Sequence, residues 1–381
     1  MKNIFILAFL FLTQCSIGQI VTYDTVDIKM ATIPESKTST ALGIANFISS
    51  NFKTDAEKIR AVFYWAAANI SYDVPNMYQL NYDSSQLKIA NALKLRTGVC
   101  IHYAEIFNEI ANKVGVKSYI IAGYTKQNDQ LATIAHAWNA SQIDGKWFLF
   151  DATWGAGFLE QNKFTKKLNN AFFMVEPSKM IVSHMPFDYL WQFLNSPITN
   201  QEFTSGKPDT DTAKINFDYA TEINKYEKLS NSDKAFETAA RIEKNGLLNT
   251  MIIEHYNYRK KEFTVINQNK SVEKLIEITA NFNKSIRDLN DFIFLRNKRF
   301  QPVQSDETLK KMMQAVKEKM NTCKDEVNNI TNVSAENATN LNSLKKAILD
   351  GLAKVTEQDD FLKEYLSKNT LGRKMMFTTP Q

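Results

Sequence analysis

The sequence predicts an α+β domain, a cysteine-bearing helix packed on an antiparallel sheet, followed by an all-α helical domain. Three observations carry that prediction. Up to about Phe203, helical periodicities alternate with aromatic-rich runs of strand character, and most of the glycines and tryptophans fall there. From about Thr204 the chain is rich in Lys, Glu and Asn and reads as helix after helix. Between the two, "TSGKPDTDT" (Thr204–Thr212) has the composition of a linker. The expected organisation is a leader over 1–18, an α+β domain over 19–205 and a helical bundle domain over 206–381.

Each element has its own signal. In "TDAEKIRAVFYWAAANISYD", Thr54 and Glu57 form a capping box, and Ile59, Val62, Phe63 and Ala66 follow at helical spacing. That helix is expected to end near Asn69, with a loop region from there to about Leu95. "CIHYAEIFNEIANKVG" places Ile106, Ile110 and Val114 on one face, with Gly115 where a helix C-cap belongs. "VKSYIIAGYT" has strand character. "LATIAHAWNASQIDGKWFLFDATW" reads as a hairpin with Asp144-Gly145 at its tip. In the later half, Val272, Leu275, Thr279, Phe282, Ile286, Leu289 and Ile293 form one heptad-like seam. A second runs through Leu309, Met313, Val316, Met320, Cys323, Val327 and Ile330, as expected of a bundle.

The totals exclude several function classes. The 381 residues carry a net charge of +5, with 46 Lys and Arg interspersed among 41 Asp and Glu. Without a basic run, nucleic-acid binding is not indicated. The start, "MKNIFILAFLFLTQCSIGQ", reads as a signal peptide, with Lys2, an apolar run from Ile4 to Leu12, and the small residues Ser16 and Gly18 before a cut at Gln19. That run is far shorter than the roughly 20 residues needed to span a bilayer. A lipoprotein anchored at Cys15 is the less favoured alternative, because bulky Gln14 precedes it. The expected location is therefore secreted or periplasmic, with no transmembrane segment. Removing the leader leaves two cysteines, Cys100 and Cys323, which is no disulfide framework. The four histidines show no HExxH spacing and the cysteines no CxxC, so neither a metal nor an organic cofactor is expected.

Cys100 stands out against this background. A thiol is a nucleophile as thiolate, and a free thiol has a pKa of about 8.5. Gly98 is expected to allow a tight turn that puts Cys100 in the first turn of a helix. There the positive end of the helix and its unpaired N–H groups favour a thiolate and a developing oxyanion. Cys323, on a helical seam, reads instead as a buried core thiol.

The hairpin supplies partners. If Asp144-Gly145 is a two-residue turn, Ile143 pairs with Lys146, His136 lies opposite Thr153, and Trp138 lies opposite Asp151. His136 and Asp151 are then diagonal neighbours on one face, roughly 7–8 Å apart between backbones. The carboxylate is expected to accept the Nδ1 proton of His136 and favour imidazolium, while His136 takes the thiol proton. A one-residue slip would separate them onto opposite faces.

The segments "RTGVCIHYAEIFNEIANKVGV", "HAWNASQIDGKWFLFDATWG" and "VFYWAAANISYD" resemble the bacterial transglutaminase-like family. "SHMPFDYLWQFLNSPITNQEF" resembles the downstream extension of its kyphoscoliosis-peptidase-like branch. The resemblance covers roughly Asp55 to Phe203 and implies a papain/transglutaminase-like core with the triad Cys100, His136 and Asp151. The helical second half resembles no named family.

Other residues are weighed beside the triad. Trp138 is a candidate to shield Asp151, and Tyr103, His102, Trp154 and Tyr72 are candidate cleft-lining residues. His102, at i+2 from Cys100, does not share its helix face. His184 reads as structural or groove-lining, and His255 as solvent-facing. Tyr72 and Gln86 are open alternatives for a side-chain oxyanion donor.

The expected function is that of an exported cysteine acyl-transfer enzyme hydrolysing amide bonds of proteins or peptides. The alternatives are an inactive fold acting as a cell-envelope binding module, a protein cross-linker and a peptide N-glycanase-like activity. A cell-envelope partner for the helical domain belongs to the same expectation.

Overall fold

The computed structural model describes residues 23–79, 83–207 and 216–377. The leader expected over 1–18, Cys15 included, lies outside the described residues. The chain divides into two compact units. One takes the residues up to Glu227 together with Ala240–Tyr256, and the other takes Lys228–Ala239 and the residues from Asn257 onward.

The first unit opens with three helices, α1 (Tyr23–Ala31), α2 (Ala41–Asn51) and α3 (Asp55–Asn69). The capping box at the start of α3 forms as expected, with Thr54 accepting from the Glu57 amide and Glu57 reaching back to the Thr54 amide. Ile59, Val62, Phe63 and Ala66 are fully buried. Arg60 on the same helix is buried too, and its charge is met by Asp27 of α1 and the face of Tyr23.

After β1 (Ser71–Tyr72), the region expected to be loop contains a helix, α4 (Ser85–Leu95). Ser84 caps it by accepting from the Leu87 amide, and Ile89, Ala92 and Leu93 are its buried face. One turn and a half of apolar spacing in "QLKIANALKL" is a weak signal, and packing supplies the rest of the stability.

β2 (Thr97–Gly98) then runs parallel to β1 and leads into α5 (Cys100–Lys113). Ile106, Phe107 and Ile110 of α5 are fully buried in the core shared with α3. Gly115 closes the helix at φ 87°, a left-handed position suited to glycine.

The sheet follows. β3 (Ser118–Gln127), β4 (Gln130–Leu131), β5 (His136–Ile143) and β6 (Lys146–Phe150) form an antiparallel order β4-β3-β5-β6. The turn between β5 and β6 has positive φ at both Asp144 (49°) and Gly145 (78°), so it is the two-residue hairpin the sequence predicts. Ile143 pairs with Lys146 and Asn139 with Phe150, the expected register.

Beyond β6 come α6 (Ala152–Ala156), the hairpin β7 (Gly157–Glu160) with β8 (Lys163–Lys166), α7 (Pro177–Met180) and β9 (His184–Pro186). β9 pairs with β3, so β3 lies between the strand bearing His136 and the strand bearing His184. α8 (Asn200–Ser205) and α9 (Tyr219–Lys228) follow, and α10 (Asn231–Lys244) and α11 (Thr250–Asn297) contribute residues to both units. In the first unit, Arg241 of α10 meets Asp188 through two hydrogen bonds of 2.7 and 2.8 Å.

Every secondary-structure element among the described residues of the second unit is a helix. The unit holds the rest of α10 and α11, then α12 (Asp306–Asn328), α13 (Ala335–Ser367) and α14 (Thr370–Met375). Every residue of the seam expected on α12, from Leu309 to Val327, is buried, and so is Ile330 just beyond it. Cys323 is a buried core thiol, and burial raises its pKa. On α11 the buried line differs from the expected one. It passes through Leu275, Ile278, Ser285, Leu289 and Phe292, leaving Val272, Thr279 and Ile293 only half-buried. A long straight helix drifts away from a strict seven-residue repeat, which moves the packed line. Among the described residues, no helix is long and apolar enough to cross a membrane.

Gly123 ties β3 to both neighbouring strands. A Cβ there would lie 2.1 Å from the Met185 carbonyl oxygen of β9 and 2.5 Å from the Trp138 ring of β5. Gly123→Ala is expected to destabilise the protein by about 1–3 kcal/mol, as overpacking does. Urea unfolding monitors this directly, and an unchanged midpoint would show that the β3–β9 approach is not tight.

Candidate active site

Cys100 is the first residue of α5, directly after the N-cap Val99, and is partly exposed. The first intrahelical bond runs from the His102 amide to the Val99 carbonyl, so the amides of Cys100 and Ile101 stand ahead of it. Gly98 serves by its size rather than by a left-handed turn. It is not among the positive-φ glycines, and an added Cβ would lie 2.6 Å from the His102 Cβ. His102 turns back along the helix start, where its Nδ1 accepts from the Val99 amide at 3.1 Å. It therefore helps cap α5 and faces a separate depression beside Gly98, not the cleft at His136. This corrects the expectation that His102 lines the cleft.

The hairpin brings His136 and Asp151 together by a route more local than cross-strand pairing. Strand pairing ends at Phe150, and Asp151 becomes the N-cap of α6. Its Oδ1 accepts from the Thr153 and Trp154 amides at 2.8 and 3.1 Å. Its Oδ2 accepts from Nε2 of His136 at 2.7 Å. The sequence-based expectation had Nδ1 in that position. With Nε2 held by the carboxylate, Nδ1 is the ring nitrogen left over, and Cys100 is near enough to favour the charged imidazole.

A fourth donor reaches Asp151 from β9. Nε2 of His184 donates to the same Oδ2 at 3.1 Å, and the Ser183 hydroxyl lies 2.8 Å from Nδ1 of His184. Because a carboxylate only accepts, Nε2 carries the proton and Nδ1 of neutral His184 accepts from Ser183. His184 and Asp151 are fully buried. The sequence reading placed His184 in the structure or the groove and missed this contact, because a partner 33 residues away leaves no spacing signal. The signal that could have found it is the "SHMP" stretch itself, a histidine on a short strand beside a hydroxyl.

Burial and pairing set the charges. Burial alone would depress His136, but the Asp151 charge and hydrogen bond, with Cys100, outweigh it and push the pKa up to about 10. Burial would raise Asp151, yet both histidines hold it well below the usual carboxylate range. Burial lowers His184, and the Asp151 contact offsets this only in part. The site is thus an imidazolium–carboxylate pair braced by a neutral imidazole.

Aromatic rings exclude water around it. Trp138 is 1% exposed, its ring 6.0 Å from His136 and 5.1 Å from His184. Trp154 packs 5.8 Å from His136 and 4.6 Å from His184. A cleft of about 420 Å³ opens beside His136, and Tyr72 and Trp154 line it. Tyr72 pairs in register with Gly98, and its phenol is raised by burial and by the nearby Cys100 and Asp151 charges. Gln86, by contrast, is exposed on α4. Tyr103 is a correction: it is buried in the core, and its hydroxyl donates to the Ile70 carbonyl at 2.8 Å. His255 is not simply solvent-facing but half-buried, stacked 4.6 Å from Phe187.

His136, Asp151 and His184 each offer a ligand atom within 4.8 Å of the others, a spacing able to hold a cation. Both Nε2 atoms are committed as donors to Asp151, so a cation there would have to displace both protons. The donor set as arranged suits proton handling.

Known proteins share this arrangement of sequence. The model of the transglutaminase-like superfamily matches residues 43–152. The human and mouse proteins named kyphoscoliosis peptidase are each 32% identical over 158 residues, 39% of this chain. The chain spans only 24% of the length of each. A crystal structure of a TGase is 17% identical, covering 61% of this chain and 54% of the other with a TM-score of 0.27. The segment bearing Cys100, His136 and Asp151 is thus similar to the transglutaminase-like superfamily and, in sequence, to the kyphoscoliosis peptidases.

Proposed function

We propose that this protein is a cysteine-dependent acyl-transfer enzyme that hydrolyses amide bonds of proteins or peptides. The observation that carries the reading is His136, whose Nε2 donates to buried Asp151 and whose charge is also favoured by Cys100 at the start of α5. Cys100 Sγ attacks the amide carbonyl and forms a C–S bond, while the carbonyl π electrons move to oxygen. His136, holding the thiol proton on Nδ1, delivers it to the leaving amine as the C–N bond breaks. Water then attacks the thioester, giving one proton to His136, and the thiolate leaves to regenerate the pair. The Cys100 amide at the start of α5 and the Tyr72 phenol, kept protonated, are the oxyanion donors in this scheme. Water is the acceptor because it needs no binding site of its own. Export of the protein remains part of this proposal.

Asp151 and His184 act through His136. Asp151 fixes the imidazole's orientation and keeps it charged, and His184 with Ser183 holds the carboxylate from the far side. His184 is accordingly a positioning residue.

At neutral pH, iodoacetamide is expected to alkylate Cys100 much faster than buried Cys323, with His136→Ala slowing the first and sparing the second. Peptide mass mapping separates the two thiols, and equal rates at Cys100 with and without His136 would remove the pair's chemical basis. Tyr72→Phe should lower kcat about a hundredfold with KM little changed, as loss of one oxyanion donor does.

The charge states also fix a pH window for stability. His136 has a raised pKa, so its contribution is complete below the unfolded value of about 6.5 and is lost as pH rises through about 10. Asp151 has a lowered pKa, so its contribution is present above about 3.9 and is lost as pH falls further. Between about 4 and 6.5 neither changes protonation on unfolding. His184 does, because its folded pKa is lowered and the unfolded chain takes up the proton first. Stability should therefore decline as pH falls through this window, and less steeply in His184→Gln, which keeps an N–H donor but cannot titrate. Denaturant midpoints measured from pH 4 to 8 for both proteins test this; parallel curves would mean that His184 is not held neutral. His184→Gln should retain more activity than His184→Leu.

A further inference from the structure

We infer that the cleft beside His136 is the subsite for a large, uncharged apolar side chain, aliphatic or aromatic, of a peptide substrate. The inference rests on the proposed acyl-transfer reading and adds the class of substrate to it.

Two features single out the occupant. The first is continuity with the reacting groups. His136 and Trp154 form part of the wall, and Tyr72, which feels the Cys100 charge, forms another part. Whatever fills the cleft sits against His136, the group proposed to carry the proton. The second is the chemistry of the wall. Among its described lining residues there is no Lys, Arg, Asp or Glu, and Phe158, Leu159, Phe164 and Phe172 give it a large apolar surface beside the uncharged Thr125, Gln127 and Asn169. A lysine side chain placed there would lose its hydration with no counter-charge, and a glutamate would find only His136, already paired with Asp151, whereas an apolar side chain would lose nothing. The volume, about 420 Å³, lies within the roughly 300–1,000 Å³ common for ligand clefts.

The apolar wall is carried by the β7–β8 hairpin, which launches from α6, the helix that Asp151 caps. Gly157 at its base is locked in place, since a Cβ there would meet the Thr165 carbonyl oxygen at 2.1 Å. Lys166, paired with Gly157 at the same base, anchors the second strand by donating to the Ala68 carbonyl at 2.8 Å. Phe158 and Leu159 are nonetheless 47% and 45% exposed, large apolar side chains left partly in water at the rim. Filling the cleft with an apolar side chain would cover them, which is the main source of binding free energy available here.

The test has a binding arm and a catalytic arm. In the first, Cys100→Ala protein is titrated with N-acetyl-phenylalanine amide, N-acetyl-leucine amide, and the glutamate and lysine counterparts. Trp154 fluorescence reports occupancy, with Trp154→Phe identifying the signal. In the second, the active protein is given a mixture of peptides that vary each residue around the cleaved bond, and products are read by mass spectrometry.

Saturable binding of the phenylalanine and leucine amides but not the charged ones is expected. Cleavage should concentrate at bonds flanked by Leu, Met, Phe or Tyr on one side. The exposed pair changed together, Phe158→Ser with Leu159→Ser, should lower kcat/KM for such peptides about tenfold. Binding of the apolar amides without cleavage of any peptide would sink the hydrolase reading and leave the subsite standing. Cleavage indifferent to the flanking residue, preferred binding of a charged amide, or no binding of the apolar ones would overturn the subsite.

Discussion

The site depends on one carboxylate. Asp151 is fully buried, and an isolated ionised carboxylate in such a place would be untenable. It is sustained by four donors, two backbone amides at the start of α6 and two imidazoles from strands on either side of β3. Each oxygen has a separate task. Oδ1 ends the strand and begins a helix, and that helix leads to the hairpin forming the apolar wall of the cleft. Oδ2 orients and charges His136. The orientation of His136 and the placement of that wall are thus both referred to one side chain, and the two cannot drift independently.

That economy explains why β9 matters to chemistry occurring on β5. With Oδ1 taken by the α6 amides, Oδ2 without His184 would have His136 as its single partner and less to fix its position. His184 removes that freedom, and Ser183 fixes the tautomer of His184 in turn, as outer partners do for ligating histidines. Gly123 and Trp138 complete the brace: the missing Cβ lets β9 approach β3, and the indole fills the space above it. The enclosure also raises the electrostatic value of every contact within it by excluding water.

Much of this was legible in the sequence, and the reasons are specific. The Asp144-Gly145 turn admits essentially one register, so the relation of His136 to the end of β6 followed from counting. Thr54 with Glu57, and the apolar line on α12, are local patterns whose periods survive folding. Other features depend on tertiary context. "QLKIANALKL" becomes a helix through burial of Ile89, Ala92 and Leu93, and a short amphipathic run does not announce that. Tyr103 is a cleft candidate by sequence, but its ring packs in the core and its hydroxyl is spent on the Ile70 carbonyl, contacts that only the tertiary fold reveals. The choice of Nε2 over Nδ1 is set by which face of the ring the α6 cap meets, a matter of side-chain torsion. His184 needed the fold of β9 onto β3, a long-range pairing with no period to betray it.

The buried network also bears on whether the fold acts as an enzyme or merely as a scaffold. A cluster of two histidines and an aspartate in the interior is costly to assemble, and well-packed apolar residues of similar volume often stabilise a core as well or better. A scaffold that presents a groove needs the shape of the cleft, which α6, the hairpin and Trp154 supply. A serine, asparagine or threonine N-cap could start α6 without any ionised group. The full arrangement has a use for Asp151's charge only if His136 is to be held as imidazolium against a sulfur nucleophile. The placement of Cys100 at a helix start, where it favours the charged form of that ring, meets the same requirement from the other partner. Two separate parts of the chain thereby converge on a condition that binding alone would not impose, which favours the catalytic reading over the scaffold.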